Sequence, residues 1–488
     1  MLRIPARYLS IFACISFLAA ILLSESSCKK DQLLKSGGEL RFSTDTLTFD
    51  TVFTSLGSAT IGLKIFNPQS EKIVISSVHL ANGSSSPFHI NVDGKAGDGT
   101  NIEIAANDSI YVFATVKVDP TSANSPFIVE DRLVATLNGN DYSVPIFAYG
   151  QNAHYIRDSV LATQIWLTDK PYVVFGYAVV DKGQTLTIPA GCRIYMHANA
   201  RLFVDGTLTA IGTKKDSIIF QGDRLDRSYY GYEGYPGEWG GIYFTQHSND
   251  NYLEHVIIAN GGNAAQGAVG ASIQVSPDSS SSSTRQLTMS KVIIQNSLGY
   301  GLLSFGGTVK AENCLINACG ATALALVQGG NYELNNCTFA TYGSNKIAHT
   351  DNPVAVMRNY FFISQTQYIA APLSLTMRNC VVAGSLDKEI FIDSVKDAAA
   401  TVTLQHCLFK TDGSTIPVWV SKSSVQYSLV DGTLDPLFVN ASKFDFHEKV
   451  GSPLIDSGIS YSNMPITDLD EKNRVINGIP DIGCFEFQ

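Results

Sequence analysis

Charge is scarce in this chain: Asp, Glu, Lys and Arg make up 16% of 488 residues, with a net charge of −10. An acidic chain without clustered Lys and Arg is a poor partner for phosphate backbones, which argues against nucleic acid. Beyond the first 30 residues, no apolar run is long enough for a membrane helix. Helical periodicity is missing between the strand-like segments. There is no nucleotide-binding glycine loop, no Ser-His-Asp order and no zinc-ligand spacing. Gly299 and Gly301 open a strand rather than a helix and carry no phosphate meaning. Acidic residues do not recur at coil spacing, and no paired Asp sits within the coils. That weighs against the carboxylate pair of a glycosidase.

Small polar and β-branched residues are abundant instead, and 45% of the chain is hydrophobic. This composition suits an all-β protein with a substantial core. The length exceeds one compact core, so several domains are expected.

Arg3 and Arg7 precede an apolar stretch from Ile11 to Leu23, too short to span a bilayer and right for an export signal. Ser26 and Ser27 then lead to Cys28. This junction resembles the lipobox of bacterial lipoproteins, with Glu25 where an aliphatic residue is usual. The resemblance implies a signal peptide over 1–27, lipidation at Cys28 and a tether over 28–37. It implies an exported outer-membrane lipoprotein, facing the periplasm or the cell surface, held to the membrane by the anchor alone.

Residues 38–152 alternate apolar and polar positions, as in Ile73-Val74-Ile75 and Ile110 to Val118. Asn67-Pro68, Asn82-Gly83 and Asn138-Gly139 are among the separating turns. About seven short strands at this spacing predict an immunoglobulin-like β-sandwich. Phe49-Asp50-Thr51-Val52, Phe66-Asn67 and Val116 to Pro120 are similar to hydin-like immunoglobulin-type domains of surface proteins.

From residue 155 the pattern changes. Thr185 to Pro189, Leu202 to Ala210, Ser217 to Phe220 and Trp239 to Phe244 are short strands ended by Gly, Asn or Asp. Asn313-Cys314-Leu315-Ile316 recurs as Asn336-Cys337-Thr338-Phe339, Asn379-Cys380-Val381-Val382 and His406-Cys407-Leu408-Phe409. Cysteine-free copies stand at His255-Val256 and Lys291-Val292. The key positions 256, 292, 314, 337, 380 and 407 are separated by 36, 22, 23, 43 and 27 residues. A solenoid coil of about 22 residues accounts for the shorter steps. The 43 reads as two coils, and the 36 as one coil with an inserted loop at Asp278 and its five serines. Stacking places the four cysteines in one inward column beside valines, where a thiol acts as a small buried hydrophobe. The preceding Asn residues predict an asparagine ladder at a turn. Arg378, in register with Asn335, Glu312 and Gln405, reads as solvent-facing.

These repeats resemble the pectate-lyase-like right-handed parallel β-helix superfamily over residues 155–430. The resemblance implies that fold, and a function among lyases, hydrolases, epimerases and non-catalytic adhesins. Residues 431–488, with Ser452-Pro453-Leu454-Ile455-Asp456 and Pro480-Asp481-Ile482-Gly483, resemble the tails of extracellular β-helix proteins. The tail is expected to cap the last coil.

Two candidate sites follow. Tyr229, Tyr230, Tyr232, Tyr235 and Trp239 form an aromatic-rich loop able to stack on sugar rings. Asp468, Asp470 and Asp481 are candidate calcium ligands, although their spacing matches no EF-hand. No catalytic residue and no other cofactor is identified. The leading expectation is a non-catalytic, adhesin-like surface protein that binds polysaccharide or another surface protein. A polysaccharide lyase or glycoside hydrolase acting on uronate-containing or other polysaccharide is the alternative, and a purely structural envelope component is the third.

Overall fold

The computed structural model describes residues 32–225, 234–264, 270–277, 285–343, 346–427 and 437–488. They fall into two compact units that divide after Gln151.

The first unit is a sandwich of two five-stranded sheets. One carries 41–42, 61–66, 109–116, 88–92 and 95–96 in that order; the other carries 47–53, 140–151, 127–137, 73–80 and 99–104. Inward positions such as Phe49, Leu63, Ile75, Phe88, Val112, Leu133 and Ile146 are buried between the sheets. The intervening positions face outward, as the period-2 pattern requires.

The second unit is a right-handed parallel β-helix with three long faces. Sheet A includes 193–196, 218–222, 256–259, 293–297, 315–319, 338–341, 381–384 and 408–409. Sheet B includes 201–204, 241–244, 271–275, 300–305, 324–327, 355–358 and 390–393. Sheet C includes 185–189, 207–211, 251–254, 287–290, 308–312, 330–335, 373–378 and 400–405. Each coil passes through B, C and A in turn. One continuous core fills the interior, from Trp166 and Tyr172, stacked 4.1 Å apart near its start, to Phe409 and Val420.

The cysteine column is as expected. Register pairs Ile257, Ile293, Leu315, Thr338, Val381 and Leu408 in succession. The preceding residues Val256, Val292, Cys314, Cys337, Cys380 and Cys407 therefore stack, all buried. Cys192 belongs to the same column through Ile218, which the sequence reading missed. Each of the four clustered thiols bonds the carbonyl two residues back, as Cys380 Sγ does to Arg378 at 3.2 Å. All seven cysteines of the described residues are free. Burial pushes the Cys319 thiol up to about 12 and that of Cys192 to about 11. A thiol reagent at pH 8 should find the native protein nearly inert, because the thiolate is the reactive form. After denaturation without reductant it should titrate all seven, and a shortfall would contradict this packing.

The turn before each column residue is left-handed. His255, Lys291, Asn313, Asn336, Asn379 and His406 all have φ between 47° and 55°. Asn adopts this conformation at low cost; Lys and His do so less readily. The asparagine ladder forms in part, with Asn379 Nδ2 donating to Asn336 Oδ1 at 2.9 Å.

Most of these corner side chains are held by the C-terminal tail, and here the structure departs from the expected end cap. The tail runs back along the flank as a strap. Ser457 meets His406, Ile459 meets Asn379, Tyr461 meets Asn336, Thr467 meets Asn313 and Lys291, and Glu471 meets His255. Asp470 then reaches Lys214. Leu437, Phe438, Phe446, Leu454, Leu469, Ile482 and Phe485 cover the outer face of sheet A over Leu315, Ala340, Val381 and Leu408. The reason is composition: sheet A is apolar on both faces, so its outer face needs cover.

The strap is expected to loosen in alkali. Burial pushes Glu448 up to about 8 and Glu486 up to about 7. His447, bonded to Asp470 and Asp445, is raised to about 9. A raised folded-state value means the folded form holds the proton more tightly. Its contribution is complete below the unfolded value and is lost as pH rises through the folded one. Glu471 behaves oppositely. Burial opposes its ionisation, but hydrogen bonds from Lys291, Thr467 and His255 outweigh that and bring it to about 2, so its contribution is lost only in strong acid. Between pH 6 and 9.5, amide-exchange protection of 437–488, corrected for intrinsic rate, should fall more than that of the coils. Equal loss would contradict this assignment.

Candidate functional site

The separation of 43 residues between Cys337 and Cys380 is one coil, not two. Thr338 pairs directly with Val381 and Glu333 with Thr376. The additional residues go mainly into a segment at the corner between sheets A and B and a hairpin, 360–362 with 368–370, at the corner between B and C. A spacing of 43 is close to twice the coil of about 22 residues, so an insertion of this length is indistinguishable from a second coil by spacing alone.

These insertions wall a groove of ≈ 420 Å³ on the outer face of sheet B. Its floor has one column of Leu303, Ala325, Val356 and Phe391, in register across four coils. A parallel column runs through Phe305 and Val327 to Arg358. Tyr300, Thr322, Asp351, Asn352 and Pro353 line the groove as well, together with Tyr360, Phe361 and Phe362 of the hairpin. Phe361 meets Phe305 edge-on at 5.0 Å. Tyr360, Phe362 and Tyr368 pack edge to face at 5.3 to 6.0 Å, which makes the hairpin a firm wall.

Arg358 is the cation of the groove. Its guanidinium lies 4.9 Å from the Phe391 ring centre and 5.5 Å from that of Tyr360. It forms no ion pair among the described residues, and its Nε is buried without a hydrogen-bond partner. Asp393, beside it in register, accepts the Tyr360 hydroxyl at 2.6 Å and the Ser394 amide at 2.9 Å. Asp351 is the one carboxylate in the lining among the described residues. Apolar ring faces with a few oriented polar groups are what a small concave site uses to hold and orient a ligand. Hydrolysis would need two carboxylates on opposite sides of a bond.

Of the residues proposed from sequence, those that are described do not line this groove. Tyr229, Tyr230 and Tyr232 fall outside the described residues. Tyr235 is exposed, and Lys346 Nζ stands 4.5 Å from its ring centre. Trp239 offers no surface: it is fully buried in the main core, its Nε1 donating to the Ala259 carbonyl at 2.8 Å. It precedes the sheet B strand at Gly241 and fills the coil interior against Phe220.

The three aspartates make no shared site. Asp468 is buried and accepts the amides of Asp470, Lys472 and Glu486. Asp481 accepts those of Asp456 and Phe487. Asp470 pairs with His447 and Lys214. Among the described residues no group of three or more His, Cys, Asp or Glu is placed to hold a metal. These carboxylates fasten the strap.

Arg378 faces outward, bonded to Gln405 at 2.9 Å and Asn335 at 3.2 Å. His197 with Asp223 and His247 with Asp205 form close pairs, but neither lines the groove.

No family model and no curated protein matches the chain. Among solved structures, a match is found to a family 123 glycoside hydrolase from Clostridium perfringens, described for hydrolysis of glycolipid glycans. The two share 12% identity over 23% of this chain and 26% of that enzyme's length, with a TM-score of 0.17. Likeness at that level supports no inference about fold or function.

Proposed function

We propose that this is a lipid-anchored envelope protein whose β-helix binds extracellular polysaccharide without cleaving it. The groove on sheet B carries the reading: an aromatic and aliphatic floor and, among the described residues, a cation without an ionic partner and a single lining carboxylate. Pyranose rings present C–H faces that stack on Phe391, Tyr300 and Phe305, and Arg358 suits a hydroxyl pair or an acidic substituent. The signal-like leader and Cys28 support an exported, outer-membrane location. Fatty-acid labelling that is lost in Cys28→Ala tests the anchor.

The binding reading is tested by electrophoresis through gels containing neutral or uronate-rich polysaccharides, with product analysis of the same mixtures. Retardation in at least one polysaccharide, without new reducing ends or unsaturated sugars, is expected. Product formation would make the protein a lyase or hydrolase. A protein partner is the second reading, favoured by the exposed Phe362, Ile363 and Ile369 on the hairpin.

A further inference from the structure

A second groove, of ≈ 510 Å³, lies across the corner between sheets B and C, over the same coils. It shares Phe305 with the first. Its character is different. Thr308, Asn331, Ser374 and Thr401 line it and pair in direct succession, so hydroxyl and amide groups repeat once per coil. Coils stack about 4.8 Å apart, close to the advance of one pyranose in an extended chain. Asn331, Ser374 and Thr401 are exposed. Between the two grooves stands the hairpin, with Tyr360 to Phe362 on one side and Ala371 and Pro372 on the other. Gly306, at φ 68°, follows Phe305 and lines the second groove without a side chain.

We infer that the second groove is a distal subsite of the same binding surface, and that the ligand is a long polyhydroxylated chain contacting both sides of Phe305. This rests on the polysaccharide reading above. The aromatic groove supplies stacking, and the Thr-Asn-Ser-Thr column supplies a repeating set of donors and acceptors for sugar hydroxyls. A mono- or disaccharide fills only one groove, whereas a longer oligomer engages both and gains affinity through its second contact.

The test is a length series of oligosaccharides cut from whichever polysaccharide retards the protein, titrated against wild type, Ser374→Trp and Val356→Trp. Thr401→Trp serves as a second blocking variant should Ser374→Trp fail to fold. Wild-type affinity should climb with length and then level off. Blocking the second groove should lower affinity for the longest oligomers by about tenfold or more and leave disaccharide binding unchanged. Equal affinity of wild type and a folded Ser374→Trp or Thr401→Trp for long oligomers would overturn the subsite. Loss of all binding in Val356→Trp alone would then leave the aromatic groove standing by itself. Unchanged binding in Val356→Trp would remove the polysaccharide reading of that groove as well.

Discussion

Replacing Arg474 by Met should release the strap and cost about 3–5 kcal/mol, the range for breaking a buried charge network on one side. Arg474 is fully buried. Its Nη1 donates to the carbonyls of Gly483 at 3.0 Å and Phe485 at 2.8 Å, and its Nη2 to Cys484 at 3.0 Å and to the Asn313 side chain. It therefore ties the end of the chain to a coil corner. The substitution leaves the carbonyls of Gly483 and Phe485 and the amide oxygen of Asn313 without donors where water does not reach, at about 1–3 kcal/mol for each group left bare, while the Cys484 carbonyl keeps the Leu469 amide. Lys should fare little better, because an ammonium cannot reproduce the planar fork. Limited proteolysis should cut within 437–488 first, and the melting temperature should fall by several degrees. The groove on sheet B lies on another face, so ligand binding well below the melt should persist. An unchanged melt would mean that the strap is held by its apolar contacts alone.

Removing the ring of Phe391 should lower glycan affinity by about thirtyfold, the order of 2 kcal/mol typical of a central aromatic contact. Phe391 ends the floor column and stacks against the Arg358 guanidinium. Phe391→Ala takes away a stacking face and also the ring that orients the cation. Phe391→Leu, which keeps apolar area but no π face, should fall between wild type and Ala. Stability should change less than for Arg474→Met, since Phe391 points out of the coil and not into its core. Calorimetric titration of both variants checks the order, and equal affinity in wild type and Ala would show that the ligand does not touch this floor.

Much of the fold is legible along the chain because β-helix stacking repeats its constraints. The Asn-Cys unit returns at three successive turns from sheet C into sheet A, with His-Cys at a fourth, and its register is the register of the structure. The outward face of Arg378 followed from the same alignment. What sequence concealed was the site. Phe305, Arg358 and Phe391 are 53 and 33 residues apart, and their place in one groove depends on knowing that Cys337 to Cys380 is one coil. The insertions that wall the groove bring the spacing to 43, close to two coils, so length alone conceals them. Trp239 could be read either way. Its place at the end of a tyrosine-rich loop suggests surface, whereas the strand that begins just after it, Gly241-Ile242, points to the core, and the core is where it lies. The strap was invisible for a third reason. Its partners, such as Lys291 with Glu471 and Lys214 with Asp470, are 180 and 256 residues apart and obey no local pattern.

The most direct test of the account is a glycan array probed in parallel with wild type and Val356→Trp, each shown to be folded by its melt. Val356 is a half-buried, outward-facing residue at the centre of the groove floor, so an indole there fills the groove without entering the coil interior. The account predicts that wild type binds a defined set of polysaccharide-derived glycans and that Val356→Trp loses that set. A wild type that binds no glycan, or a folded Val356→Trp that binds the same set equally well, would contradict it.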